Sequence, residues 1–176
     1  DQSQFIKGAI SGVSDAAMQG GFMAFIVLYL FLRRFVSSLI VTLTIPISIL
    51  AVFGFMYFSN ISLNMISLGG LALGVGMLVD CAIVVIENIF RHRELKKTPK
   101  EASVVGAEEV NAAIWGSTLT TVVVFLPMVF VVGIAGQLFK ELSFTVIVSL
   151  MTSLVVALTL IPILASKETL DKSKSD

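Results

Sequence analysis

Apolar stretches of about 20 residues, the length that crosses roughly 30 Å of hydrocarbon, recur five times along this chain, near 13–32, 36–58, 64–88, 111–132 and 138–165. Lipid offers backbone N–H and C=O groups no partner, so an open chain of such runs folds only as helices that satisfy those groups internally. The expected fold class is therefore all-α: a polytopic membrane helix bundle with five transmembrane helices, a single unit over residues 1–176. The last stretch exceeds what a straight crossing needs and is expected to tilt or to project beyond the membrane. Composition agrees, with 56% of residues apolar and 14% charged, the balance of an integral membrane chain.

Other classes are excluded by what the chain lacks. Twelve basic residues against twelve acidic ones give nucleic acid no electrostatic handle. A single cysteine, Cys81, excludes an internal disulfide, and with the single His92 it leaves no ligand set for a metal. No cofactor is expected. No initiating Met and no basic n-region precede the first apolar run, so no signal peptide is expected and the chain reads as a piece of something longer. The placement of charge carries more information than its sum. Arg33 and Arg34 follow the first run, Arg91, Arg93, Lys96, Lys97 and Lys100 follow the third, and Lys167, Lys172 and Lys174 follow the fifth. Only Lys7 and Lys140 fall on the other side. The positive-inside rule then puts the N-terminal end outside and the C-terminal tail in the cytoplasm.

The sizeable polar stretch, 91–110, is expected to be a cytoplasmic connector. Thr98, Pro99 and Glu101 form a helix-start signal, with a hydroxyl at the N-cap, proline at the first helical position and a glutamate three residues after the cap. A short cytoplasmic helix leading into the fourth span is predicted. Pro46, Pro127 and Pro162 fall inside apolar runs, where each removes a backbone donor and can kink a helix.

Asp80 sits near the centre of the otherwise apolar segment 69–86. A carboxylate at that depth costs on the order of 3 kcal/mol or more without compensation, which makes an intramembrane acid a functional-site hypothesis. On a helix advancing about 100° per residue, Gly69, Leu73, Gly76 and Glu87 all fall within about 40° of Asp80. Glycines on one face permit close helix approach, so Gly69 and Gly76 are expected to pack the Asp80 stripe inside a bundle. Glu87 is expected near the cytoplasmic interface, either continuing a proton path or making interfacial hydrogen bonds. Burial raises a carboxyl pKa and a nearby cation lowers it, so an acid that alternates between those settings couples a proton gradient to a conformational cycle. The alternative is a neutral Asp80 hydrogen-bonded within the bundle. No Lys or Arg of this chain lies at comparable depth, so any counter-charge must come from elsewhere.

Several runs carry a family resemblance. Residues 62–73, SLNMISLGGLAL, and 76–89, GMLVDCAIVVIENI, resemble the fourth transmembrane helix of resistance-nodulation-division (RND) efflux transporters. Residues 117–127, STLTTVVVFLP, resemble the fifth, and 20–33, 45–48 (IPIS) and 158–162 (LTLIP) extend the match over nearly the whole chain. The resemblance implies that the five spans are helices two to six of a twelve-helix permease driven by the proton motive force, with Asp80 as its proton-binding aspartate and protons as the coupling ion. Many drug exporters of the family carry a second acid directly after it, where this chain has Cys81, so a two-acid relay does not carry over. Thr120 and Thr121 lie in the fifth-helix motif, where they either serve the relay or bond their own helix carbonyls.

The same resemblance implies export of small amphiphilic compounds, contact with membrane lipids, and partnership with the remaining segments of the permease, including its second half. It further implies a homotrimer joined to a periplasmic adaptor and an outer-membrane channel in the inner membrane of a double-membraned bacterium. Two other modules of the superfamily remain as alternatives: a sterol- or lipid-sensing bundle, which has no need of Asp80, and a protein-translocation accessory. An intramembrane aspartyl protease needs two aspartates at one depth, and Asp15 lies near the outer end of the first span. Met77 is the only methionine close to Asp80, which argues against a soft-metal path.

Overall fold

The computed structural model describes residues 19–59, 61 and 64–167. It is an all-α bundle: α1 (Gln19–Leu32), α2 (Phe35–Phe58), α3 (Met65–Glu94), α4 (Pro99–Phe125) with a 3-10 extension (Leu126–Phe130), and α5 (Ile134–Lys167). Four of these, α2, α3, α4 with its extension, and α5, are long and apolar enough to cross a membrane, so the chain is a multi-pass membrane protein. The first expected span, 13–32, is described only from Gln19, as α1. Lys7, Asp15, Lys172 and Lys174 lie outside the described residues.

The helix boundaries follow from local chemistry. Arg33 takes a left-handed φ of 52° and Arg34 an extended one of −137°, which turns the chain between α1 and α2 in two residues. At the far end Asn64 caps α3: its side chain accepts from the backbone N–H of Ile66 and Ser67 at 2.9 Å each, and Ser67 Oγ accepts from the Asn64 N–H at 2.9 Å. These bonds satisfy donors that a helix start otherwise leaves orphaned. Lys96, at φ 62°, ends the connection out of α3, and its N–H donates to the Arg93 carbonyl at 2.9 Å. The expected cap at Thr98 is present, with Glu101 N–H donating to Thr98 Oγ1 and Thr98 N–H donating to Glu101. The stretch 91–110 is not a separate helical unit, because its first four residues complete α3 and everything from Pro99 onward belongs to the single helix α4. Of the three prolines, Pro46 and Pro162 are carried inside continuous helices. At Pro127 the α-helix stops instead and tightens into the 3-10 turn, since proline supplies no N–H to the carbonyl one turn back.

Helix α5 packs against α2, α3 and α4, and α3 packs also against α2 and α4. The main core joins Leu28 of α1, Ile40 and Val41 of α2, Leu78, Ala82, Val85, Ile86 and Ile89 of α3, Ile114 of α4, and Leu154, Ala157, Ile161 and Ala165 of α5. Between α3 and α5 the seam is made of small residues. A Cβ on Gly70 would lie 3.1 Å from the Leu142 carbonyl oxygen and from Thr145 Cβ, and one on Gly74 would run into Ser149 Cβ. Ser48 and Ser153 share a buried hydrogen bond of 3.1 Å between α2 and α5. Small side chains of this kind bring membrane helices close enough for backbone packing.

That seam corrects the expectation for Gly69 and Gly76. A Cβ on either would meet nothing within 4 Å, so among the described residues they make no close helix contact. The packed face of α3 is turned by one residue from the expected one, onto Gly70 and Gly74. Two glycines four apart meet the same neighbouring helix across one turn, whereas Gly69 and Gly76 lie on the side that the described residues leave uncovered.

Candidate functional site

Asp80 falls fifteen residues after the start of α3 and fourteen before its end, so at 1.5 Å per residue it lies about 20 Å from either terminus. The bundle buries Leu78 and Ala82 on the opposite side of the helix, while Asp80, Leu73, Gly76, Val84 and Glu87 are exposed. The Asp80 stripe is therefore the outer face of α3 as this chain folds. Among the described residues no helix covers Asp80, because the small-residue seam with α5 claims the other face.

Next to the acid, Cys81 is half-buried and its thiol faces the Thr118 hydroxyl of α4. Thr118 is 3% exposed and is the residue of the 117–127 motif that α4 presents to α3. Thr120 donates to the Gly116 carbonyl at 2.8 Å and Thr121 to the Ser117 carbonyl at 3.1 Å. Both hydroxyls thus bond their own helix one turn back. The Thr118 contact is of a kind sequence reasoning passed over, although the spacing of Ile114 and Thr118 on one helical face signals a buried position.

Glu87 lies two turns, about 10 Å, from Asp80 toward the basic end. It lines two openings there. One, of about 360 Å³, is bounded by α1, α2 and α3; the other, of about 220 Å³, lies between α3 and α4 beside Val84, Asn88, Arg91 and Val110. Around them the helix ends are tied by polar contacts. Arg34 pairs with Glu94, Arg93 donates to the Ala165 carbonyl, and both guanidinium groups stand over the Phe90 ring, 4.9 and 4.8 Å from its centroid. Such placement adds cation–π attraction to the charge contacts.

A second polar cluster fixes α3 to α4. Asn88 Nδ2 donates to the Gly106 carbonyl at 2.8 Å and to Glu109 Oε2 at 2.9 Å, and His92 Nε2 meets the same carboxylate oxygen at 2.8 Å. An ionised carboxylate only accepts, so Nε2 carries the hydrogen. The Asn88 amide first, and His92 next, hold the Glu109 carboxyl down from 4.5 to about 2. Glu109 belongs to the polar first turns of α4, before its apolar part begins. The close approach here is made by Gly106, where a Cβ would lie 2.8 Å from Ile89 Cα. Among the described residues no group of three or more His, Cys, Asp or Glu side chains is arranged to hold a metal ion.

A model of the AcrB/AcrD/AcrF family matches residues 1–175. The multidrug resistance protein MdtC of Pectobacterium atrosepticum is 37% identical over 167 residues, 95% of this chain and 16% of that protein. MdtC of Yersinia pestis is 35% identical over 166 residues, 94% of the chain and 16% of the relative. MdtC of Salmonella typhi is 37% identical over 164 residues, 93% and 16% respectively. The chain thus spans about 16% of the length of the curated relatives it matches.

Proposed function

The chain belongs to the AcrB/AcrD/AcrF family, and from that premise we propose that it is a transmembrane portion of a proton-driven RND-type permease that exports small amphiphilic compounds. One observation carries the reading: an aspartate at the centre of a thirty-residue apolar helix, on a face that the chain's own bundle leaves open. A purely structural acid would be expected to find its hydrogen-bond partner among the helices that pack against it. In this reading the face that carries Asp80 is covered by further protein of a larger permease.

In this mechanism Asp80 alternates between two settings. Facing a dry contact without a cation, its carboxyl takes up a proton; facing a lysine or arginine of the remaining segments, it releases one. The difference in stability between those two arrangements is what a proton gradient drives in one direction. Glu87 stands between Asp80 and the basic end, where it either receives the proton on the inner side or makes interfacial hydrogen bonds. Thr120 and Thr121 donate to their own carbonyls and keep oxygen lone pairs with which a relay is completed. Cys81 supplies no second carboxylate, so one acid carries the charge change.

The basic end of the bundle is the cytoplasmic one in this reading, with the N-terminal end outside and the C-terminal end inside, in a bacterial inner membrane. Its partners are membrane lipids, the remaining segments of the permease including its second half, the other copies of a homotrimer, and a periplasmic adaptor with an outer-membrane channel. The test is energised efflux of a fluorescent amphiphile from cells carrying wild-type or Asp80→Asn protein at matched membrane abundance. Loss of efflux with insertion and assembly intact is the expected result. Retained efflux would remove Asp80 from the coupling mechanism and the reading with it.

A further inference from the structure

The opening of about 360 Å³ at the basic end lies between the last turn of α1, the first turn of α2 and the last turns of α3, and its volume is that of a small ligand site. Phe31, Leu32 and Ile86 make one wall apolar. The lining also carries charges of both signs, the guanidinium groups of Arg34 and Arg91 and the carboxyl groups of Glu87 and Glu94. Ser37 also lines the cleft, is 1% exposed, and its hydroxyl has no hydrogen-bond partner among the described residues. The neighbouring Ser38 shows the ordinary solution, donating to the Arg34 carbonyl one turn back at 2.9 Å. A hydroxyl as buried as that of Ser37 is costly to leave unmet.

We propose that this cleft binds the headgroup of a phospholipid bearing a primary ammonium, a phosphatidylethanolamine, taken from the leaflet at the basic end of the bundle. The phosphate accepts from Arg34, Arg91 and the Ser37 hydroxyl, guanidinium groups being suited to phosphate by their paired donors. The ammonium donates to Glu87 and Glu94. The acyl chains leave along Phe31 and Leu32 toward the hydrocarbon. Arg34 is already held by Glu94 and by the Phe90 ring, so part of the site is ordered before the lipid arrives.

Charge complementarity selects this occupant. A purely anionic headgroup, such as phosphatidylglycerol, gains the two cations but brings no positive charge to the two carboxylates. A phosphatidylcholine headgroup carries a cation without N–H groups, so it satisfies neither carboxylate by hydrogen bonding. Inorganic phosphate has neither the ammonium nor the chains. Glu87 is, in this site, an acceptor at the interface, and the proposal stands whether or not Asp80 carries the coupling proton.

The experiment reconstitutes the whole protein in nanodiscs of equal parts phosphatidylethanolamine, phosphatidylglycerol and phosphatidylcholine, then counts the lipids retained after mild delipidation by native mass spectrometry. Preferential retention of phosphatidylethanolamine is expected. Arg91→Gln, at an exposed position, lowers that retention by about fivefold through loss of a charge-assisted contact. Ser37→Ala, which adds no volume, lowers it by a smaller factor. Glu94→Gln moves the preference toward phosphatidylglycerol, because it removes one of the carboxylates that repel an anion. Equal retention of all three lipids would overturn the proposal, as would a preference unchanged in both Arg91→Gln and Glu94→Gln. Displacement of the lipid by millimolar inorganic phosphate would show a simple anion site instead, and no retained lipid at all would show the cleft to be filled by protein.

Discussion

Replacing Gly106 by alanine adds one methyl group where α4 crosses α3 most closely. Its Cβ would lie 2.8 Å from Ile89 Cα, 2.9 Å from Ile89 N and 3.0 Å from Ile89 Cγ1. Two of those atoms are backbone, so no rotamer change relieves the clash and the helices must separate by several tenths of an ångström. Overpacking of that kind costs about 1–3 kcal/mol. The Asn88 bond to the Gly106 carbonyl, 2.8 Å and buried, stretches in the same movement and adds about 1 kcal/mol. The gain in helix propensity from glycine to alanine offsets roughly 1 kcal/mol, leaving a net loss of about 1–3 kcal/mol. Gly116→Ala, on the same helix with nothing within 4 Å, is the control and is expected to be neutral or slightly stabilising. Reversible unfolding in mixed micelles, followed by circular dichroism, measures both. Because the nearest atoms belong to the Ile89 main chain, Gly106→Ala with Ile89→Ala is not rescued relative to Ile89→Ala alone. Equal stability of Gly106→Ala and Gly116→Ala, or full rescue by Ile89→Ala, would refute the close backbone approach.

Asn88→Ala removes the main contact that keeps the Glu109 carboxyl near 2, so its titration moves back toward 4.5. Glu109 is depressed in the folded state, so its contribution to stability is fully present above about 4.5 and is lost as pH falls toward 2; acid unfolding of the wild type in that window should be steeper than that of Asn88→Ala, and identical profiles would show that the contact is not formed. Thr98→Ala removes the hydroxyl that accepts from Glu101 N–H and costs about 1 kcal/mol, with earlier hydrogen exchange in the first turn of α4 as the local signature. Unchanged exchange there would mean that α4 does not begin at this cap.

Sequence and structure part company at long-range contacts. The apolar runs predicted the helices because length and hydropathy alone decide what can cross lipid, and Thr98, Pro99 and Glu101 marked the start of α4 because a capping box is made within four residues. Asn64 and Ser67 form the same kind of box at the start of α3, legible by the same rule with asparagine and serine in the two places. The packing face of α3 was harder. Gly69, Gly70, Gly74 and Gly76 crowd one segment, and only the position of Ser149 and Thr145 on α5 distinguishes the glycines that are filled from those that are open. The cleft at the basic end is assembled from three helices, and no local pattern joins Ser37 to Glu87.

The two faces of α3 bear on how a charge change at Asp80 would act. On one side Gly70 and Gly74 lie against α5, Gly106 lies against Ile89, and Asn88 with His92 ties the basic end to Glu109. Contacts that close do not stretch gradually, since close-packed interfaces shift between discrete arrangements or not at all. Asp80 lies on the other side, uncovered by the described residues. Protonation in the proposed mechanism therefore acts on a helix that is fastened along its back to α4 and α5, and what it changes is the fit between this fastened group and the protein beyond it. A movement of α3 alone would have to break the Gly74 and Gly106 contacts together, whereas movement of α3, α4 and α5 as one body breaks neither. Coupling by rigid-body displacement is the course the packing favours.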